Sequence, residues 1–148
     1  MTNREERYYD EIYKGKNKLL YIIDMNNGFV NFGPMANPKY NDLVQEQLKM
    51  LEKFKKENQQ IDFILEAHDE NATEFIKYPK HCIRGTEEAD LIPEFQYYQL
   101  HGARTYYKNS INGMLNKDVQ GQIKLLKGLK ENLSLISATV SCFAFKTS

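Results

Sequence analysis

A strand–helix–strand pattern near the start of the chain constrains its fold most. Residues 18–24 read K-L-L-Y-I-I-D, a continuous apolar run closed by a carboxylate. Apolar residues at successive positions belong to a strand buried on both faces. Leu43, Val44, Gln47, Leu48, Leu51 and Phe54 then recur at helical spacing within residues 41–57, with Lys and Glu filling the other face. Asn41 or Asp42 offers that helix an N-cap. A second apolar run, I-D-F-I-L at 61–65, follows it. Two buried strands joined by a crossover helix form a parallel pair, which predicts an α/β chain. The spacing predicts further strands at 103–107 and 133–138. It also predicts a second amphipathic helix at 118–131, with Val119, Ile123, Leu125, Leu126 and Leu129 apolar.

The 148 residues suffice for one domain with a sizeable core. We read residues 1–17 as an arm with one short helix and 18–148 as the domain. Residues 28–40, with two Gly and two Pro, read as a loop. Twenty basic residues balance twenty acidic ones, which gives no support to a nucleic-acid or polybasic membrane partner. No apolar run approaches the roughly 20 residues of a membrane span. The first eighteen residues carry charges of both signs and do not form a signal peptide, so a cytoplasmic location is expected. The two cysteines, Cys82 and Cys142, make no disulfide framework and fit a reducing compartment. No Walker loop or GxGxxG fingerprint is present, so no organic cofactor is expected.

Reactive residues follow the strand candidates. Asp24 closes the first and precedes N-N-G, a turn signal. Open parallel sheets bind ligands beyond the C-terminal strand ends, although a turn cap explains the same aspartate. Lys108 follows the third strand and Cys142 the fourth. A cysteine nucleophile works as thiolate; a carboxylate can accept its proton, and an ammonium favours nearby negative charge. The plainer alternatives are a core cysteine and a solvated lysine. Residues 66–84, E-A-H-D-E-N-A-T-E-F-I-K-Y-P-K-H-C-I-R, make a long connection rich in possible ligands. Within it Glu66, His68, Glu74 and His81 offer N and O donors suited to Zn, Mn or Fe. Against this stand a surface-loop His68 and a hydrogen-bonded structural His81. Thr86 with residues 87–90 can start a helix, which Pro93 keeps short or distorted. His101 reads as solvent-exposed and without a role.

Taken in order, I-I-D-M-N-N-G-F-V, F-I-K-Y-P-K-H-C-I-R-G-T-E-E-A-D-L-I-P-E-F and Y-Y-K-N-S-I-N-G-M-L resemble the signatures of the isochorismatase-like cysteine hydrolases, nicotinamidase-like branch. The resemblance covers residues 18–130. It implies a doubly wound three-layer α/β/α fold around a parallel sheet, and a triad of Asp24, Lys108 and Cys142. It implies hydrolysis of a small amide, nicotinamide first, through a thioester. It further implies one divalent ion (Zn, Mn or Fe) held by Glu66, where the family has Asp, with His68, Glu74 and His81. Asn27, Phe29 and Tyr107 are the substrate-side candidates. Asn26 and Asn27 can fix the loop around Asp24, and Tyr107 and Asn109 flank the lysine. A small-molecule substrate and a homo-oligomer are the implied partners.

One segment departs from the family pattern. The family cysteine follows G-x-x-T-D, whereas this chain reads I-S-A-T-V-S-C-F-A-F-K-T-S, and Phe143 falls in the nucleophile register when counted back from K-T-S. The expectation is a domain lacking its last helix and strand. Three further readings stay open: an inactive or truncated homologue, an isochorismatase-type hydrolase of another small substrate, and, on size alone, a flavodoxin-like binding domain.

Overall fold

The computed structural model of the protein describes residues 3–4, 7, 11, 14–109, 120–121 and 134–139. Strands β1 (Lys18–Ile23), β2 (Gln60–Glu66), β3 (Arg104–Lys108) and β4 (Ser134–Thr139) form one sheet in the order β3-β2-β1-β4. All three pairings are parallel. From β1 the chain steps outward through β2 to β3, then returns to place β4 on the other side of β1. In doubly wound α/β folds such a reversal of strand order marks the end of the sheet, beyond the C-terminal strand ends, where ligands bind.

Why these runs become central strands is visible in their packing. Helix α1 spans Asn27–Val30 and α2 spans Asn41–Lys56. Val44, Leu51 and Phe54 of α2 join Leu20 and Ile22 of β1 and Ile61, Phe63 and Leu65 of β2 in one core cluster. Leu19, Tyr21, Ile23 and Ile64, at the alternate positions, are buried as well. Burial on both faces explains why these strands read as unbroken apolar runs. Each fully buried Leu, Ile or Phe contributes about 1.5–3 kcal/mol.

Several local expectations change. Residues 28–40 are not all loop: α1 starts directly after β1, and a 3₁₀ turn covers Pro38–Tyr40. Gly28 serves close packing here, because a Cβ on it would lie 2.7 Å from Cys82 Sγ. The acidic stretch after Thr86 forms only a 3₁₀ turn, Glu87–Ala89. Main-chain pairing ends it: Asn27 N donates to Asp90 O and Ile92 N donates to Met25 O, which pulls the chain out straight. Pro93–Phe95 then forms a second 3₁₀ turn that runs into the short α3, Gln96–Leu100. Phe95 stacks on Phe63 at 6.2 Å and seats this segment on the core. Lys108 is the last residue of β3 rather than the residue after it. Of the helix expected at 118–131, Gln120 and Gly121 are helical and the rest lies outside the described residues. Among the described residues no helix is long and apolar enough to cross a membrane.

Gly28→Ala should lower stability by about 1–3 kcal/mol, the range for an overpacked interior. Urea unfolding measures it, and a Cys82→Ala change in the same chain should recover part of the loss. Unchanged stability in Gly28→Ala would contradict the close approach.

Candidate active site and metal centre

Asp24, Glu66 and Lys108 occupy the C-terminal ends of three adjacent strands. Glu66 and Lys108 are register partners across β2 and β3, so the pleat places them side by side. Continued alternation along β1 would carry Asp24 to the opposite face, beside Leu65. Its backbone instead turns left-handed, with φ of 63°, and the strand ends there. Aspartate tolerates this region better than most residues, at about 1 kcal/mol of strain.

The three side chains are almost fully buried: Asp24 and Glu66 are 3% exposed and Lys108 is 2% exposed. Lys108 Nζ lies 2.9 Å from Asp24 Oδ1 and 3.2 Å from Glu66 Oε1. Burial raises the Asp24 carboxyl to about 6, against the opposing pull of the Lys108 ammonium. Burial also pushes Glu66 upward, but the close approach of the His68 and His81 imidazoles and the charge of Lys108 outweigh it and hold that carboxyl at about 2.

The second oxygen of Glu66 faces two imidazoles, His68 Nε2 at 3.0 Å and His81 Nε2 at 3.1 Å. Glu74 Oε2 approaches His68 Nε2 to 2.9 Å. The local chain explains how residues fifteen apart converge. His68 N donates to Cys82 O and Arg84 N donates to His68 O, so the returning segment pairs beside the end of β2. Both outer ring nitrogens are engaged: His81 Nδ1 lies 2.7 Å from Pro79 O, and His68 Nδ1 lies 2.7 Å from Asn109 Oδ1. A carbonyl only accepts, so the His81 proton sits on Nδ1 in the neutral ring and the Nε2 lone pair points inward. Burial opposes charging of either imidazole, yet the adjoining Glu66 carboxylate leaves both pKa values raised.

Glu66, His68, Glu74 and His81 offer one donor atom each, all within 4.8 Å of one another. Two imidazole nitrogens and two carboxylate oxygens form a donor set suited to Zn, Mn or Fe. The fit has independent support. His68 Nε2 and Glu74 Oε2 are both buried and neither makes a hydrogen bond of good geometry. A cation between these lone pairs would satisfy them.

Other expected residues divide. Phe29 packs on His81 at 5.6 Å between ring centres, at the edge of the cluster. Asn27 does not join the cluster. It donates from Nδ2 to Glu87 O and accepts from Asn31, which pins α1 to the neighbouring turn. Asn26 is the residue that reaches the site: its Nδ2 donates to the carbonyls of Glu66 and Ala89, and its Oδ1 accepts from Glu66 N. Tyr107 is 44% exposed, because alternation turns it away from the buried Lys108 beside it. Cys142 lies outside the described residues. Phe75 was not anticipated, although it directly follows Glu74. Its ring meets His68 at 5.3 Å and His81 at 5.4 Å, edge to face. Cys82 sits within the central signature, but burial pushes its thiol up and Sγ donates to Glu88 O. It is a packed thiol rather than a thiolate.

Comparison with known proteins agrees with this architecture. The isochorismatase domain matches residues 18–130, and the chain belongs to that family. Nicotinamidase 1 of Arabidopsis thaliana is 32% identical over 103 residues, which cover 65% of this chain and 42% of that protein. The chain thus aligns with less than half the length of that relative. Among solved structures, the pyrazinamidase/nicotinamidase of Streptococcus mutans superposes with a TM-score of 0.71 at 21% identity, covering 84% of this chain and 72% of the other. The pyrazinamidase of Pyrococcus horikoshii, determined in complex with zinc, gives a TM-score of 0.65 at 21% identity, covering 84% and 71%. At these identities the two structures establish the shared fold.

Asn26 ties the β1 turn to the end of β2 and to the segment after Glu87. Asn26→Ala leaves one N–H and two carbonyls without these bonds, so we expect a loss of at least about 3 kcal/mol, from roughly 1 kcal/mol or more per buried group left unpaired. Chemical denaturation measures it. A change below 0.5 kcal/mol, on the order of a neutral surface substitution, would contradict the linking role.

Proposed function

We propose that this protein is a cysteine hydrolase of a small amide, with nicotinamide as the leading substrate. The observation that carries the reading is the buried Asp24–Lys108 pair at 2.9 Å, set beside the Glu66, His68, Glu74 and His81 cluster. Similarity to the Arabidopsis nicotinamidase supports the choice of substrate.

In this mechanism Asp24 takes the thiol proton of Cys142, and the thiolate attacks the amide carbonyl carbon. The C–S bond forms as the carbonyl electron pair moves onto oxygen. Collapse breaks the C–N bond, and the proton held by Asp24 passes to the leaving nitrogen, releasing ammonia and a thioester. Asp24 then removes a proton from water, whose oxygen attacks the thioester. The C–S bond breaks, and acid and thiol are restored. Lys108 holds the Asp24 carboxylate in place and stabilises negative charge through the cycle. A divalent ion held by Glu66, His68, Glu74 and His81 would supply a Lewis-acid anchor for a pyridine nitrogen. Phe29 and Phe75, whose rings pack on the histidines, would flank a flat aromatic substrate. Cys142 enters this scheme on the sequence alone, as the cysteine other than the packed Cys82.

A second reading is an inactive homologue, favoured by the missing glycine and T-D pair before Cys142. Ammonia release from nicotinamide separates the two. The hydrolase reading expects turnover in the parent chain, abolished in Cys142→Ala and reduced at least ~100-fold in Asp24→Asn. Turnover that persists in Cys142→Ala overturns the mechanism, no turnover of nicotinamide in the parent chain removes it as the substrate, and no ammonia release from a panel of small amides selects the homologue.

The pH dependence follows from Asp24. Its carboxyl must be ionised to act as base, and burial has raised it to about 6. We therefore expect kcat/KM to fall roughly tenfold per pH unit below that value. A profile flat between about pH 5 and 7 would remove Asp24 from the base role.

A further inference from the structure

We infer that Glu66 is shared between the two halves of the site, and that Lys108 thereby sets how tightly the cluster holds its cation. The inference rests on the reading of Glu66, His68, Glu74 and His81 as a metal centre, and it concerns a residue outside that ligand set. Glu66 Oε1 lies 3.2 Å from the Lys108 ammonium, while Oε2 lies within 3.1 Å of both imidazole Nε2 atoms. One carboxylate therefore faces an ammonium on one side and the cation position on the other. Its backbone is held at both N and O by Asn26, which fixes the point from which the carboxylate reaches both partners.

Two positive charges on opposite oxygens of one buried carboxylate oppose each other, because little water lies between to screen them. The ammonium also draws electron density from Glu66 and makes it a poorer ligand. Asp24 counters both effects by taking up part of the Lys108 charge at 2.9 Å. Lys108 and Asp24 should thus act on cation affinity in opposite directions, although neither is a ligand. A purely structural role would give a different pattern, since loss of either residue would loosen the cluster and weaken binding in both cases.

The test is zinc affinity of the full chain, stripped of metal and titrated against a chromogenic chelator. Lys108→Met should bind zinc at least tenfold more tightly than the parent. Asp24→Asn should bind it several-fold more weakly. Lys108→Met leaves two buried carboxylates facing each other and can fail to fold, so the double change Asp24→Asn/Lys108→Met provides the neutral counterpart. It should also bind more tightly than the parent, because the nearer of the two charges has gone. Equal affinities across the series, or weakening in both the single Lys108 variant and the double variant, would overturn the sharing of Glu66 and leave the metal reading intact. A parent chain that binds no zinc, manganese or iron overturns the metal reading and this inference with it.

Discussion

The Lys108 ammonium sits between two buried carboxylates, and the arrangement of the strand ends depends on that compensation. An isolated charge at this depth would cost several kcal/mol, and removing one partner of such a group is strongly destabilising. Asp24 follows β1, Glu66 ends β2 and Lys108 ends β3, so charge balance and strand register are one constraint. A slip of one residue in β3 would turn Lys108 outward and put Tyr107 in its place. The parallel sheet presents three ends side by side, and the ion pairs reward only the register that brings these ends together.

Much of this was legible in the sequence because it follows from burial. Residues 19–23 are apolar at every position and 61–65 at all but Asp62, a pattern that suits short strands covered on both faces. The helix over Asn41–Lys56 announces itself through Val44, Leu51 and Phe54. Once these strands are placed, Asp24 and Lys108 fall at the same edge, and Glu66 with His68 leaves the strand between them. The Asp24–Lys108 contact and the convergence of four potential ligands extend that argument in three dimensions.

What escaped the sequence was decided by contacts between distant segments. The turn at Asp24 depends on a positive φ that no neighbouring residue type demands. The acidic stretch after Thr86 carries a helix-start signal, but pairing of Asp90 and Ile92 with the β1 turn overrides it. Asn26 and Asn27 are indistinguishable as letters. Only the direction of the chain leaving β1 sends Asn26 toward Glu66 and Asn27 toward Glu87. Phe75 illustrates the same limit, since the 3₁₀ turn at Thr73–Ile76 is what brings its ring onto both histidines.

The electrostatics of the site also bear on what it can admit. Three carboxylates, one ammonium and two imidazoles lie close together at the strand ends. Little water lies between these groups to screen them, so the charges act on one another and on any bound ion at close range. Phe29 and Phe75 add apolar ring surface that suits a flat, uncharged molecule. The donor cluster and the aromatic edges thus divide the strand ends into a charged part that can hold a cation and an apolar part beside it.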